Sequence, residues 1–393
     1  MDKGQSKYIS DGRVIVPDVF GEIPFNIFQG EDGEFYTDLD PFSYDIASKN
    51  GKNYYVDSLN GRSEGDGLTP ETAVDSVNSL FQQWSENPPK NDLVINLADG
   101  IYYHENGFAG ITWNYDVNLT IKAPKEAIST SAAAPGELLW EFHGGAYSAP
   151  VSIEVLHVFD VLQRDKHGIP VKYDLVSSVE ECKKKAGSWY TDDSRVWAHT
   201  FNDREPDGDL LVMLDTGECT FYPRNSTIYV ENIKFMHCSS LSQFRGTPYV
   251  TSSNNTDNGR YIANNCAYIG SYHNGLAVNR VPFVLHYKSI ASHNGADGFN
   301  YHDNINAPRM LALEVDCVAY NNGERFKPYG GGKNNGTTAH DGIRVLRVNT
   351  YAYDCDGPVV VDVNGCLSFN LGVIAHDSKL SASRTPVAAA FYF

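Results

Sequence analysis

The sequence predicts an all-β fold, a solenoid of stacked coils, and two observations carry that prediction. Segments of the second half can be laid over one another: LHYKSIASHNG (Leu285 to Gly295), LEVDCVAYNNG (Leu313 to Gly323) and LRVNTYAYDCDG (Leu346 to Gly357). Each alternates small or apolar residues with polar ones and then turns at Asn-Gly or Asp-Gly, the pattern of a strand followed by a bend that needs a permissive backbone. A looser copy, NNCAYIGSYHNG, ends at Gly275, and a partial one, FNLGVIAHDS, ends at Ser378. The closing glycines recur every 20 to 34 residues, a spacing that gives one coil per repeat. The composition agrees: 34 glycines and 24 tyrosines favour strands and tight turns over long helices.

The remaining elements follow in chain order. Residues 1–50 mix aromatics and acids without a period and read as an N-terminal arm or adaptor that packs on something else. The strand YYVDS leads through a Gly-rich loop into a helix. Thr69 reads as its N-cap, Pro70 suits the first position, and Val74, Val77, Leu80, Phe81 and Trp84 share one face. Such a helix covers the open end of a solenoid. DLVINLADGIYYH (92–104) and NLTIKAP (118–124) read as the first coil strands. Residues 145–215 break the pattern: SSVEECKKKAG reads as helical, and SWYTDDSRVWAHTF as a hairpin with Trp189 and Tyr190 facing Val196 and Trp197. They form a small inserted subdomain in a β-helix spanning 51–393. The end, AAAFYF, shows no terminal cap.

Composition also limits function. The formal net charge of −18 leaves no source for a phosphate-neutralising patch, so nucleic acid is excluded as a main partner. No apolar run approaches the length of a membrane span, and the N-terminus has no signal-peptide core. The seven cysteines (182, 219, 238, 266, 317, 355, 366) lack CxxC spacing and imply neither a disulfide framework nor a zinc site.

The opening VDSLNGRSEGDGLTPETAVDSVNSL, together with IASHNGADGFNYHD and VAYNNGERF, resembles the right-handed single-stranded parallel β-helices of the pectate-lyase-like superfamily. The resemblance covers roughly residues 53–380, interrupted at 145–215. Within that superfamily it is closest to bacteriophage tail-spike depolymerases. It implies a polysaccharide depolymerase of the glycoside hydrolase type on a virion tail or outside the cell, acting on bacterial surface polysaccharide, and a homotrimer. Alternatives are a lyase or epimerase on uronic-acid polymers and a non-catalytic carbohydrate-binding spike.

Reactive residues concentrate where coils lengthen, near FNYHDNINAPR (299–309) and ERFKPYGGGKNNGTTAHDG (324–342). Two adjacent insertions would wall a groove. Asp297, Glu324 and Asp341 are the carboxyl candidates for glycoside hydrolysis, with Asp297 and Glu324 just past equivalent turns. His302 and His340 are further catalytic candidates, and Arg325, Lys327, Tyr329, Arg344 and Asp303 are candidates for substrate binding. In an elimination, His302, His340, Lys327, Arg325 and Tyr329 would supply the base and the cation. An Asp in an Asp-Gly turn usually bonds its own backbone, so Asp297 and Asp341 also have a structural reading. Asn274, Asn294 and Asn322 are expected to stack as an internal ladder, and His273 and His293 to serve the strand end. No cofactor is expected. Asp354, Asp356 and Asp362 are the residues that would hold calcium, without EF-hand spacing.

Overall fold

The computed structural model describes every residue except 1–8, 11, 167, 193, 207, 238–247, 253–255, 324–333, 379–390 and 393. The fold is all-β and built on parallel sheets, the arrangement of a parallel β-helix. Each later circuit of the chain leaves one strand in each of three parallel rows, taken below as the first, second and third sheets, the first two being joined through the long strands Leu119–Thr130 and Thr227–Met236. One circuit runs through Arg260–Asn264, Ala267–Ile269 and Leu276–Asn279, the next through Phe283–Tyr287, Ile290–Ser292 and Phe299–His302. Later circuits repeat the order, and corresponding strands pair in parallel register. The sequence repeat is therefore the coil itself: Leu285 pairs with Leu313 and Leu313 with Leu346.

Register corrects one reading. Asn294 O accepts from Gly323 N as Ser271 O accepts from Gly295 N, so Ser271, not Asn274, lies level with Asn294. The plain coil is 23 residues, the separation of Ser271 from Asn294. The asparagine ladder forms between Asn294 and Asn322, whose Nδ2–Oδ1 distance is 2.9 Å, while Asn274 accepts from the Asp297 amide at 3.0 Å. Gly295 is required where it stands, because a Cβ there would lie 2.1 Å from Tyr272 O.

The helix is also displaced from its expected start. Thr69 caps a short 3-10 turn, Pro70–Thr72, and the helix proper is Val77–Glu86, capped by Ser76 Oγ accepting from Ser79 N at 3.0 Å. Pro70 and Glu71 suit a first helical turn of either kind, so composition could not separate the two. Val77, Leu80 and Trp84 are buried, and Trp84 meets Tyr54 and Trp113 edge-on at 5.2 and 5.9 Å, closing the core of the first circuits.

Two excursions pack on the coils from outside. Val14, Phe20, Phe25, Ile27 and Tyr44 of the N-terminal arm cover the outer face of the first sheet, against Tyr229, Ile262, Leu285, Leu313 and Leu346. Each such side chain, once buried, contributes about 1.5–3 kcal/mol. The second excursion is longer than expected: the chain leaves the coils after Leu119–Thr130 and rejoins them at Thr220–Phe221. It builds a five-stranded sheet and a three-stranded sheet of its own around Trp189, Val196, Tyr173 and Val212. In its hairpin Trp189 pairs with Ala198 and Tyr190 with Trp197.

The interior changes character along the axis. One inward column of the first sheet reads Ile121, Val230 and Ala263, and then His286, Glu314, Arg347 and Asn370. Arg347 is fully buried, donates to both Asp362 oxygens at 2.8 Å and lies 3.4 Å from Glu314. Burial opposes its charge, but Asp362 and Glu314 outweigh that and raise its pKa. Thr337 Oγ1 donates to Glu314 at 2.5 Å. His286 sits among Tyr261, Tyr268 and Phe299, and burial pushes its imidazole down to about 3.

Two expected outcomes follow. Arg347→Met strands two carboxylates inside the coil and lowers stability by about 3–5 kcal/mol, measured by denaturant unfolding. His286 also makes stability pH-dependent. Its folded pKa of about 3 lies below its ordinary 6.5, so the unfolded chain takes up the proton first as pH falls. The contribution of the neutral ring is complete above about 6.5 and declines as pH drops toward 3. A melting series from pH 7 to 4 on wild type and His286→Phe checks this: the variant's curve should fall less steeply.

Candidate active site

At the end of each second-sheet strand the backbone turns through a left-handed residue, one per circuit: His237 (φ 55), Gly270 (φ 68), His293 (φ 56), Asn321 (φ 50) and Asp354 (φ 59). Asn, Asp and His tolerate that conformation better than most side chains. These residues form a polar row along one corner of the coils. The inserted subdomain returns over it with the strands Val155–Arg164 and Pro170–Lys172. Their connecting turn is tied down twice. Asp165 Oδ2 lies 2.6 Å from His293 Nε2, and Lys166 Nζ donates to Asp354 Oδ2 at 2.5 Å. Asp165 also accepts from the Ile169 amide at 3.0 Å, which fixes the carboxylate within its own turn.

Between hairpin and corner lies a cleft of about 360 Å³. Asp165, Lys172, His157 and Phe159 line it from the insertion, and His237, His293, Asn322 and Asp356 from the coils. His157 stacks on Tyr272 at 5.1 Å, and burial, then the Lys172 charge, holds its pKa well below the ordinary value. His237 packs against Phe159 at 4.4 Å, and burial, then His293, brings it to about 4. The cleft thus holds two neutral imidazoles, a histidine bound to a carboxylate, an ammonium group and a second carboxylate. That inventory suits proton transfer. Among the described residues no group of three or more His, Cys, Asp or Glu is arranged to hold a metal ion. Asp362 faces Arg347 inside the coil and Asp354 binds Lys166, so the expected calcium trio does not converge.

The catalytic and substrate-binding candidates from the sequence that are among the described residues lie elsewhere. Asp297 is buried. Its Oδ1 accepts from Asn335 N at 2.7 Å and its Oδ2 from Asn300 Nδ2 at 2.6 Å, which staples one coil to the next. Burial raises its pKa against these hydrogen bonds. His302 and His340 do come together, as parallel rings 4.2 Å apart, with His302 Nδ1 3.5 Å from Asp341 Oδ2. Burial, then His302, lowers His340 to about 4. Asp303 accepts from the Arg309 and Met310 amides at 2.6 Å each and closes its own loop. Arg344 donates to Phe20 O at 3.2 Å and to Arg309 O at 3.0 Å, binding the N-terminal arm. Glu324, Arg325, Lys327 and Tyr329 lie outside the described residues. Of the two coil insertions, residues 303–310 join the strand Phe299–His302 to Leu311–Val315, and most of the second lies outside the described residues.

The cleft residues Asp165, Lys172 and His157 sit in a stretch without a repeat, so nothing in the sequence registers them to the coils. The charged turn Asp165–Gly168 is the only local hint. The two ties differ in expected strength. The Lys166 side chain is 70% exposed and its ion pair is screened by solvent, so Lys166→Ala leaves stability nearly unchanged. The His293 side chain is 8% exposed, so Asp165→Asn costs on the order of 1–3 kcal/mol. Denaturant unfolding of the two variants compares them, and hydrogen exchange at 165–170 should quicken in Asp165→Asn.

The chain matches no protein-family model and no curated protein. Among solved structures it is similar to a glycoside hydrolase at 9% identity, covering 85% of this chain and 98% of that one with a TM-score of 0.37. It is also similar to a pectate lyase at 11% identity, over 77% of this chain and 63% of that one, TM-score 0.35. A third is a lacto-N-biosidase from Eubacterium ramulus at 10% identity, over 83% of this chain and 57% of that one, TM-score 0.42. The chain thus spans less than two thirds of the length of the latter two.

Proposed function

We propose that this protein cleaves polysaccharides by acid–base chemistry in the cleft between the inserted subdomain and the coil corner. The observation that carries the reading is the Asp165–His293 pair, 2.6 Å apart and drawn from opposite walls of the cleft. Hydrolysis of a glycosidic bond uses two carboxyl groups on either side of it. Asp165 stands on the insertion wall and Asp356 on the coil wall. In this reading they flank the scissile bond, and His293 shares a proton with Asp165 and so governs its charge. Elimination on a uronate is a second reading, favoured by Lys172 beside the cleft histidines: His293 would take the proton and Lys172 would neutralise the substrate carboxylate.

The setting we propose is extracellular, on bacterial surface polysaccharide, as part of a trimeric virion tail spike. It rests on the N-terminal arm and the inserted SWYTDD…VWAH segment, which resemble those of tail-spike depolymerases. In the same reading the coils wind right-handed, as crossovers between parallel strands of one sheet do.

A panel of bacterial capsular, O-antigen and exopolysaccharides tests the function, scored for new reducing ends and for the ultraviolet absorbance of an unsaturated uronate. Reducing ends alone mean hydrolysis, and both signals together mean elimination. Asp356→Asn and Asp165→Asn should each lower kcat by about 10²–10⁴-fold while the protein stays folded. Full activity in both variants would move the site out of the cleft. Binding without cleavage across the panel would leave a carbohydrate-binding protein.

A further inference from the structure

The second sheet presents an outer face unlike the other two. The arm covers the first sheet, and Ala277, Asn300 and Thr338 on the outside of the third are buried. On the second, the first residue of each strand points outward: Ala267, Ile290, Val318, Tyr351 and Ile374, in direct register from coil to coil. The next residue of these strands, Tyr268, Ala291, Ala319 or Ala352, is buried inside the coil. Ile290 is 36% exposed, Tyr351 37% and Ile374 58%. Ala267 is buried, so the open apolar stripe runs from Ile290 to Ile374, one side chain wide, advancing about 4.8 Å per coil.

Polar rows border the stripe on both sides. Two residues before it in each coil stands the left-handed residue that joins first and second sheets: Asn265, Lys288, Asp316 and Asn349. These side chains are chained coil to coil, with Asn265 Nδ2 donating to Asn232 Oδ1 at 2.7 Å and Asn349 Nδ2 to Asp316 Oδ1 at 3.0 Å. On the other side Tyr320, Tyr353 and His376 stack at 5.2 and 5.5 Å, nearly parallel, so their ring faces cover one another. Tyr351 Oη and His376 Nε2 are 2.7 Å apart.

We propose that this stripe is a second polysaccharide-binding surface, separate from the cleft, that takes uncharged sugar units. The proposal rests on the polysaccharide reading above. A pyranose ring has an apolar C–H face and a rim of hydroxyl groups. The stripe matches the face, and the amide and phenol rows match the rim, with the pattern repeated at every coil so that a polymer can lie along it. Charge decides between occupants. Asp316, Asp354 and Asp377 outnumber Lys288 along the borders of the stripe and the chain carries a net −18, so a polyuronate is disfavoured there, whereas a neutral glycan is not. Ile290, Val318 and Tyr351 stand three residues before the cleft-side residues His293, Asn321 and Asp354, roughly 10 Å away along each strand. A polymer held on the stripe therefore keeps its neighbouring segments at the mouth of the cleft.

The test uses the full chain and two sets of variants, Tyr351→Ser with Ile374→Ser and, independently, Ile290→Ser. Retention is measured on immobilised neutral glucans and galactans, with a polyuronate as control. Both sets should weaken retention of neutral polymer, by about tenfold for the double variant, and raise KM on polymer to match. The kcat value, and the kinetics on short oligosaccharides that fill only the cleft, should not change. Unchanged retention in both sets overturns the proposal, as does stronger retention on polyuronate than on neutral polymer. A change in oligomeric state with retention intact assigns the stripe to contact between copies instead. Wild type that is retained but cleaves nothing removes the cleft chemistry and keeps the stripe. Wild type that binds no neutral polysaccharide overturns the stripe.

Discussion

In-register parallel pairing between one coil and the next is the constraint on which everything else rests. A parallel ladder fixes each residue over its counterpart in the coil below, so a side chain chosen once must be chosen again, or be compensated, at every level. Leu285, Leu313 and Leu346 repeat for this reason, as do Ala291, Ala319 and Ala352, and Asn294 over Asn322. Where repetition stops, the partners are supplied from elsewhere. Arg347 stands over Glu314 in the same column and reaches across the interior to Asp362 on the third sheet. An unpaired guanidinium would not be tolerated there, and the bidentate contact with Asp362 and the hydrogen bond to Thr337 remove the difficulty.

The corners follow from the same constraint. At the two ends of the second sheet the coils bend through a residue with a left-handed backbone, at the same level from coil to coil. Asparagine, aspartate and histidine recur at these positions because they accept that conformation, and glycine stands at Gly270 and Gly372 for the same reason. Polar side chains are thereby lined up along the edges of the second sheet. One line, through His293 and Asp354, receives the inserted hairpin and makes the cleft. The other, through Asn265 and Asn349, borders the open stripe. Both proposed glycan surfaces are consequences of how the chain turns its corners.

The N-terminal arm and the insertion show how stacked parallel strands acquire surface relief. Repeating coils offer flat faces but little concavity. A cleft forms only where something irregular packs against them. The hairpin turn does this with two ion pairs to coils that flank Asn321, so its position depends on the axial spacing of the coils as much as on its own structure. Buried rings against it, His157 on Tyr272 and His237 on Phe159, stay neutral because the insertion excludes water from them.

The sequence alone determined the repeat of parallel strands, the turns at Asn294-Gly295 and Asn322-Gly323, and the stacking of Asn294 on Asn322. These are local or nearest-neighbour properties: strand alternation and turn chemistry depend on a few adjacent residues, and register copies them upward. It missed the plain coil length, because Asn274-Gly275 imitates a corner three residues late. Only the tertiary structure decided that Asp297 is a buried staple, that Arg344 holds the arm, and that His293 meets Asp165. Those contacts join segments with no shared periodicity, brought together by the packing of an irregular subdomain on a regular one, and no local pattern encodes such a meeting.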